Sequence, residues 1–333
     1  MKKLSIVLVL VFLLSLFTAC SDRTEPSAAP SRGASSTQGR EGPSDEEFAD
    51  VHPMLFHVTG ENGREMYLFG TIHVGDERND AALRKLTPFL EDCDALAVEF
   101  DIVAYEGNPA ALVEAGTAFV LPYGTTVEDY MPDGMYEEAS ALLKEAGLAP
   151  GMMKSYNLAM WSQLVDQAAL MTKSSLDMQA AMDRKLIEFC YEKQIPVRDV
   201  ESAELQFGLL SSFSDELCLL MIRNTLDSVD DYGTKVDALY SAWLDGSYDN
   251  IVAVLDSENE GADFTEAEQR MVDDYNNKML TQRNLGMRDK ALEWLTAGDK
   301  VFFAVGAAHL VDEDGLVALL RAAGYTVEQV KYE

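Results

Sequence analysis

The sequence predicts an α/β (α+β) fold in which a central mixed β-sheet is flanked by helices and a long helical middle segment caps the sheet. Three observations favour this fold class. Short apolar runs typical of strands occur near both ends of the folded part, helical periodicity fills its middle, and two of the runs each precede an amphipathic helical pattern.

The strands are predicted from short apolar runs bounded by turn residues. The first two lie in LFHVTGENGREMYLFG, where the runs flank Glu61-Asn62-Gly63, a strong signal of a β-hairpin. Further strands are predicted in ALAVEFD (Ala95–Asp101), IPVRDVE (from Ile195), VFFAVG (from Val301) and YTVEQVKY (after Gly324). The run at Ala95–Asp101 follows a helical pattern and is expected to be a central strand.

The middle of the chain carries apolar residues at a spacing of three to four positions. This spacing predicts helices over Met135–Ala146, Met152–Met171, Leu176–Lys193, Ser214–Asp227 and Glu266–Thr296, the last with a break near Thr281. The tryptophans at 161, 243 and 294 fall in these helical regions, where packing in the core is their expected role.

The start of the chain predicts an export signal. Lys2 and Lys3 precede an apolar stretch that ends at Phe17, and Thr18-Ala19-Cys20 follows, as in a bacterial lipoprotein signal. Residues 1–20 are therefore expected to be a signal peptide with lipidation of Cys20, which would anchor the protein to the cell membrane outside the cytoplasm. A plain signal peptide is the alternative. Residues 21–47 are too poor in large apolar side chains to fold and predict a disordered tether, and 48–333 predict one globular domain.

Composition and short motifs exclude several classes of function. The chain has 57 acidic and 26 basic residues, a net charge of −31, so its surface repels nucleic acid and anionic headgroups. It has no P-loop and no GxSxG, which argues against a nucleotide hydrolase or a serine hydrolase. Without a CxxC pair, Cys93, Cys190 and Cys218 are expected to be buried free thiols, with a disulfide as the alternative.

One short arrangement occurs twice, in YLFGTIHVGD and FFAVGAAHLVDED. In each, an apolar strand ends at a glycine (Gly70, Gly306) and a histidine follows three positions later (His73, His309), so two of the chain's four histidines share one setting. Glycine at a strand end permits a sharp turn or a close backbone approach. The imidazoles would then lie at the carboxyl edge of the sheet, where open α/β sheets build their sites.

Two neighbouring strands of this kind would bring His73 and His309 together, which a divalent ion explains better than two neutral imidazoles alone. Glu99, a lone carboxylate in an apolar run, would complete the site, with Asp101 in support. Two histidines, one carboxylate and an open position are typical of a catalytic metal centre, and the ligand types suit Zn, Mn, Co or Fe(II). The alternative is that each histidine hydrogen-bonds in a turn and Glu99 ends its strand in solvent.

At these residues the sequence resembles the TraB/PrgY/GumN family, which is related to the Tiki proteases and more distantly to erythromycin-esterase and ChaN-like proteins. The resemblance runs from about Met54 to Val330. Its markers are YLFGTIHVG, VEFD, LDMQAAMDRKLIEFCYEKQIPVRDVESAELQ, QRN at Gln282–Asn284 and VGAAHLVDEDGLVALLRAAGYTV. Two departures, Ser175 where the family often has glycine and VES at Val200–Ser202, do not touch the predicted ligands.

The resemblance implies a metal-dependent hydrolase, because Tiki-like members cleave peptides with GxxH histidines and a glutamate. Carried onto this chain, the ligands are His73, Glu99 and His309. Arg283 matches the family's Arg-Asn pair and either binds a substrate carboxylate or oxyanion or forms a salt bridge. Glu201 is either a general base or a structural partner of Arg283. Two further residues have minor expected roles, Gln206 in the same polar network and Asp177 as a helix cap.

The sequence and the resemblance thus predict an extracytoplasmic metal-dependent hydrolase, a peptidase with a peptide or protein substrate. PrgY-like relatives, which are associated with blocking a peptide signal, suggest a non-catalytic protein that binds or sequesters peptides. The context of GumN suggests a third role as an accessory factor in envelope polysaccharide production. No nucleic-acid partner is expected, and contact with the membrane is expected through Cys20.

Overall fold

A six-stranded mixed sheet lies at the centre of the computed structural model, which describes residues 51–257 and 264–332. The strands are β1 (Leu55–Thr59), β2 (Glu65–Thr71), β3 (Ala95–Val98), β4 (Val197–Asp199), β5 (Val301–Gly306) and β6 (Thr326–Gln329), in the spatial order β4-β3-β5-β2-β1-β6. The strands β4, β3, β5 and β2 run parallel, whereas β1 is antiparallel to β2 and β6. The predicted signal peptide, Cys20 and the tether lie outside the described residues.

Helices flank the sheet and connect most of its strands along the chain. They are α1 (Arg78–Glu91), α2 (Ile102–Glu106), α3 (Pro109–Thr117), α4 (Met135–Glu145), α5 (Leu158–Lys173), α6 (Met182–Lys193), α7 (Ala203–Ser211), α8 (Asp215–Asp227), α9 (Val229–Asp245), α10 (Tyr248–Ser257), α11 (Glu266–Asn276), α12 (Gln282–Ala297) and α13 (Leu316–Ala322). The predicted α/β fold class and the predicted hairpin of β1 and β2 are confirmed.

The core lies on both faces of the parallel strands. Every residue of β3 is buried, and β5 is buried from Val301 to Val305, as expected for strands covered by helices on both sides. Trp161 and Trp243 are fully buried, and Trp294 is half-buried against Phe303. The predicted core role of the tryptophans therefore holds, with Trp294 at the edge of the core.

Two predicted helices begin later than their apolar spacing indicates. Helix α5 starts at Leu158 because Asn157 caps it by accepting the N–H of Met160. Helix α6 starts at Met182, and the residues before it form a 3₁₀ turn that Asp177 caps, which is the role predicted for this aspartate.

The long C-terminal helix is broken close to the predicted position. A π-helical turn at Asn277–Thr281 separates α11 from α12 and places Arg283 and Asn284 in the first turn of α12. Such turns commonly occur beside functional residues.

Cys93, Cys190 and Cys218 are free thiols, as expected, and Cys93 is only half-buried. No single helix in 51–257 or 264–332 has the length and apolar character of a membrane span. Only α7 and α8 taken together are long and apolar enough, and the chain bends by 90° between them.

Candidate functional site

The two glycine–histidine segments end neighbouring parallel strands. Thr71 at the end of β2 pairs with Gly306 at the end of β5, so His73 and His309 both follow the carboxyl edge of the sheet. Glu99 comes directly after β3, which is the other neighbour of β5. Three strand ends therefore deliver the three predicted ligand residues to one edge.

These three residues surround a single position beside Gly306. A Cβ atom added to Gly306 would lie 3.3 Å from Glu99 Oε1, 3.6 Å from His309 Cδ2 and 3.7 Å from His73 Nε2. The Nε2 atom of His309 is 3.8 Å from Glu99 Oε1. A side chain at this position would crowd Glu99 and occupy the space between the three groups, and glycine leaves that space open.

Gly70 serves close packing of the backbone. A Cβ atom on Gly70 would lie 2.8 Å from Met54 Cε and 3.1 Å from Ala307 Cα. Its carbonyl oxygen accepts a hydrogen bond of 2.8 Å from Trp243 Nε1. Of the two explanations predicted for these glycines, close approach therefore applies.

His73 is held by a carboxylate from α6. Its Nδ1–H donates to Asp183 Oδ2 over 2.7 Å, which turns Nε2 towards Gly306 and Glu99. Burial disfavours the charged imidazole, but Asp183 and Glu99 outweigh this and raise the pKa of His73 above its ordinary value. Asp183 was not among the predicted site residues, although it lies on the buried stripe of α6 with Met182 and Leu186.

His309 is held by an amide from α12. Its Nδ1–H donates to Asn284 Oδ1 over 2.6 Å, and Asn284 Nδ2 donates to the carbonyl of Asp314 over 2.8 Å. Burial and the nearby Arg283 lower the pKa of His309 to about 3, so the imidazole is neutral at physiological pH. Because Nδ1 carries the proton, Nε2 carries the lone pair and faces Glu99.

Glu99 is 5% exposed and hydrogen-bonded at both oxygens. The N–H of Gly306 donates to Oε1 over 2.9 Å, while Arg283 Nη2 and Gln206 Nε2 donate to Oε2 over 2.6 and 3.0 Å. Burial alone would raise the pKa of Glu99, but Arg283 and the two histidines hold it well below its usual range. Glu99 is therefore ionised in the folded protein.

Arg283 joins two buried carboxylates. It donates to Glu99 and, through Nε and Nη2, to Glu201 over 2.9 and 2.7 Å. Burial opposes the charge of Arg283, yet both glutamates raise its pKa above the ordinary value. Gln206 also donates to Glu201 over 3.1 Å. The alternatives that describe Arg283 as a salt-bridge partner, Glu201 as its counterpart and Gln206 as a member of their network fit this geometry.

Asp101 does not support Glu99 as predicted. Strand β3 ends at Val98, and Asp101 instead caps α2 by accepting the N–H of Ala104 and accepts the hydroxyl of Tyr191. The prediction was wrong because it extended the alternation of a strand past the last strand residue.

A cavity of about 100 Å³ opens beside this polar cluster. His73, Glu99, Gln206, Arg283 and His309 contribute polar groups to its wall. Most of the remaining wall is apolar and includes Ile72, Val74, Phe207, Leu210, Val236, Leu239, Trp243, Ile251, Leu255 and Met279. The site therefore combines a compact charged cluster with a predominantly apolar binding space.

The predicted metal ligands do not already form a coordination geometry among the described residues. In the part of the chain that the structure describes, no three His, Cys, Asp or Glu side chains already form a metal-binding group. His73, Glu99 and His309 converge, but their role as ligands stays a prediction.

Comparisons with known proteins give one family. Residues 54–329 match the TraB/PrgY/gumN family. The chain is similar to the uncharacterized protein YbaP of Escherichia coli (strain K12), with 27% identity over 265 residues that cover 79% of this chain and 90% of the relative. The same values hold for the uncharacterized protein YbaP of Shigella flexneri. No solved structure matches the chain significantly.

Proposed function

The chain belongs to the TraB/PrgY/gumN family, and from that premise we propose that it is a metal-dependent hydrolase that cleaves peptide bonds outside the cytoplasm. One observation carries the proposal. His73, Glu99 and His309, which are distant along the chain, meet at the position beside Gly306, next to a cavity that can receive a substrate.

The donor set is suited to a divalent ion. His309 Nε2 and Glu99 Oε1 lie 3.8 Å apart, a separation that two ligands of one ion can have when each bond is about 2.0–2.2 Å long. His73 Nε2 borders the same position. We propose that these three residues hold Zn, Mn, Co or Fe(II), since mixed imidazole and carboxylate ligands suit each of these ions.

The surrounding residues prepare these ligands. Asn284 fixes the tautomer of His309, and Asp183 orients the imidazole of His73, as partners of metal-binding histidines commonly do. Arg283 keeps Glu99 ionised and neutralises the charge of Glu201. Arg283 and Glu201 are therefore positioning residues in this proposal. The apolar wall excludes water from the substrate's side chain.

The reaction is the addition of water across a peptide bond. The water oxygen bonds to the carbonyl carbon, the C–N bond breaks, and the two water protons end on the carboxyl and amine products. The bound ion would supply polarisation of the carbonyl and a lower pKa of the attacking water.

Removal of either histidine tests the proposal. Purified full-length protein, stripped with a chelator and reloaded with one ion at a time, should bind about one ion per chain and cleave members of a peptide library. His73→Ala and His309→Ala should lose both properties. His57→Ala is the matched control, because His57 lies on β1 and bonds to Glu65. If wild type, both site variants and the His57→Ala control showed equal metal content and equal cleavage, the proposal would be wrong.

A second candidate is peptide binding without cleavage. It is favoured by the engagement of Glu99, whose two oxygens already accept bonds from Gly306, Arg283 and Gln206. Mass spectrometry of peptides after long incubation with metal-loaded protein separates the two candidates. Intact peptide together with measurable binding would favour sequestration.

The location is proposed from the pattern around Cys20. Incorporation of labelled palmitate into the wild-type chain and its loss in Cys20→Ser would support a lipid anchor outside the cytoplasm. Cleavage at another bond, with Cys20 unmodified, would leave the plain signal peptide.

A further inference from the structure

Three helical segments contribute aliphatic side chains to the wall of the cavity. Helix α7 contributes Leu209 and Leu210, α9 contributes Leu239, and the π-helical turn contributes Met279 and Leu280. Leu210, Leu239 and Met279 keep 6%, 8% and 7% of their surface accessible, and the other two are only partly buried. A molecule in the cavity would therefore contact these five aliphatic side chains.

The charged side chains of the wall are already engaged with other protein groups. Among the described residues that line the cavity they are Glu99 and Arg283, which bond to each other, and His73, which bonds to Asp183. A charged side chain from a substrate would lose its water against the aliphatic part of the wall and find no opposite charge there. An apolar side chain gains when it leaves water for such a wall. The cavity therefore favours apolar over charged groups.

The size of the cavity favours an aliphatic group over an aromatic ring. Its volume is about 100 Å³. An apolar cavity of about 150 Å³ accepts one benzene ring. The smaller space suits one aliphatic side chain, whereas a phenyl or indole ring would require the wall to move. It is also too small for the acyl chain of a lipid.

Helix α9 is tied to neighbouring elements beside Leu239. The indole Nε1 of Trp243 donates to the carbonyl oxygen of Gly70 on β2 over 2.8 Å, and the hydroxyl of Tyr240 donates to Asn79 Oδ1 on α1 over 2.7 Å. The rings of Tyr240 and Trp243 stack with 5.9 Å between their centroids. Because Leu239 directly precedes Tyr240, a group that displaced Leu239 together with its helix would have to break these contacts.

Helix α7 is tied to the polar cluster. Gln206 Nε2 donates to Glu99 Oε2 over 3.0 Å and to Glu201 Oε2 over 3.1 Å. Leu209 and Leu210 follow three and four residues later, on the same side of the helix. Hydrogen bonds thus hold both helices that carry the leucines, and a cavity with fixed walls discriminates between side chains by size.

We propose that the cavity is a specificity pocket for one aliphatic side chain of the size of valine, leucine, isoleucine or methionine, carried by a residue next to the peptide bond to be cleaved. Leu239 is the residue that sets the size of the pocket. The proposal rests on the proposed function and adds to it the class of substrate.

The test measures equilibrium binding of four N-acetylated hexapeptides that differ at one position, which is leucine, tryptophan, lysine or glycine. Calorimetry with purified, metal-free, full-length protein gives each Kd without requiring turnover. The leucine peptide should bind about ten- to a hundredfold more tightly than the glycine peptide, the range expected for burying one large apolar side chain. The lysine peptide should bind no more tightly than the glycine peptide, and the tryptophan peptide should bind more weakly than the leucine peptide.

Two substitutions of Leu239 change the size of the pocket in opposite directions. Leu239→Ala enlarges it, so the Kd of the tryptophan peptide should fall about tenfold and that of the leucine peptide should rise, which reverses their order. Leu239→Phe narrows it, so the Kd of the leucine peptide should rise about tenfold while that of the glycine peptide stays the same. Leu239→Phe leaves no hole in the core, and it decides the question if Leu239→Ala does not fold.

The matched control removes a leucine outside the pocket. Leu226 on α8 is 7% exposed, close to the value for Leu239, and does not line the cavity. Leu226→Ala should lower the melting temperature as Leu239→Ala does, because both delete a core side chain. It should keep the wild-type order of the four peptides, which a general loosening of the core would not distinguish from Leu239→Ala.

The outcomes separate this inference from the proposed function. Peptides that bind in the expected order but stay intact after metal loading would support the inference and overturn catalysis. Equal binding of the four peptides, no binding at all, or an unchanged order in both Leu239 variants would each overturn the inference, whether or not the protein cleaves other peptides. Tighter binding of decanoate than of the leucine peptide would also overturn it and would indicate a site for an acyl chain.

Discussion

The two glycine–histidine segments share one sequence pattern but differ in surroundings. The His73 side chain is 21% exposed and donates to the carboxylate of Asp183, whereas the His309 side chain is 6% exposed and donates to the amide of Asn284. The pKa of His73 is raised, and that of His309 is lowered to about 3. The residue bonded to Nδ1 and the depth of burial, rather than the motif itself, decide whether the imidazole holds a charge.

Because of this difference, the two histidines can take different roles at the site. In the metal-free protein His309 is a neutral donor of a lone pair at physiological pH, and the pair of His73 and Asp183 can hold a proton. Both segments meet at Glu99. Substitutions around this shared carboxylate, and at the residue bonded to Nδ1 of each histidine, therefore test how the two segments differ.

The largest effect is expected at the shared carboxylate. Arg283→Met leaves Glu99 and Glu201 buried beside each other without their common cation, and the free energy of unfolding should fall by about 3–5 kcal/mol. Urea denaturation at pH 7 measures this. Arg288→Met on the same helix is the control, because Arg288 pairs with the exposed Asp289 and should cost under about 1 kcal/mol. Equal losses in the two variants would show that the buried cluster is not held by Arg283.

A smaller effect is expected at the partner of His309. Asn284→Leu leaves the buried Nδ1–H of His309 and the carbonyl of Asp314 without Asn284, which should cost about 1–3 kcal/mol in unfolding free energy. Ring-nitrogen NMR shifts should show one fixed tautomer in the wild type and lose it in the variant. Asn284→Asp keeps an acceptor and should raise the pKa of His309. An unchanged tautomer in Asn284→Leu would contradict the assigned role of Asn284.

The smallest effect is expected at the partner of His73. Asp183→Asn keeps an acceptor but removes the charge, so the pKa of the more exposed His73 should fall. The free energy of unfolding should fall by about 1 kcal/mol. Because the folded protein raises this pKa, the stability from protonated His73 is complete below about pH 6.5 and is lost as pH rises through the folded value.

Thermal unfolding of metal-free protein across this range measures the change at Asp183. The difference between wild type and Asp183→Asn should be largest below about pH 6.5 and should shrink at higher pH. Asp80→Asn serves as a control, since Asp80 pairs with Lys185 at the surface. If the stability difference grew with pH, Asp183 would not raise the pKa of His73 in the folded protein, and the prediction would be wrong.

Much of the fold could be predicted because its signals are local. Apolar runs bounded by turn residues identified the strands, and the glycine–histidine repeat identified the ends of β2 and β5. The convergence of His73, Glu99 and His309 also followed from the sequence, because neighbouring parallel strands deliver their carboxyl ends to one edge.

The remaining features depend on contacts that no local pattern records. Asp183 lies 110 residues from His73 in the chain, so only the packing of α6 against the sheet edge joins them. Helix α3 was missed because none of its residues is buried and no apolar stripe marks it.

The π-helical turn at Asn277–Thr281 has a geometric consequence for the site. In a regular α-helix, eight residues turn the side-chain direction by about 80° net, so Tyr275 and Arg283 would point along diverging lines. A π turn takes up one residue more than an α turn, which reduces that angle to about 20°. The wide turn thus keeps Tyr275 and Arg283 on one side of the helix, where both line the cavity, and a regular α-helical turn in its place would separate them.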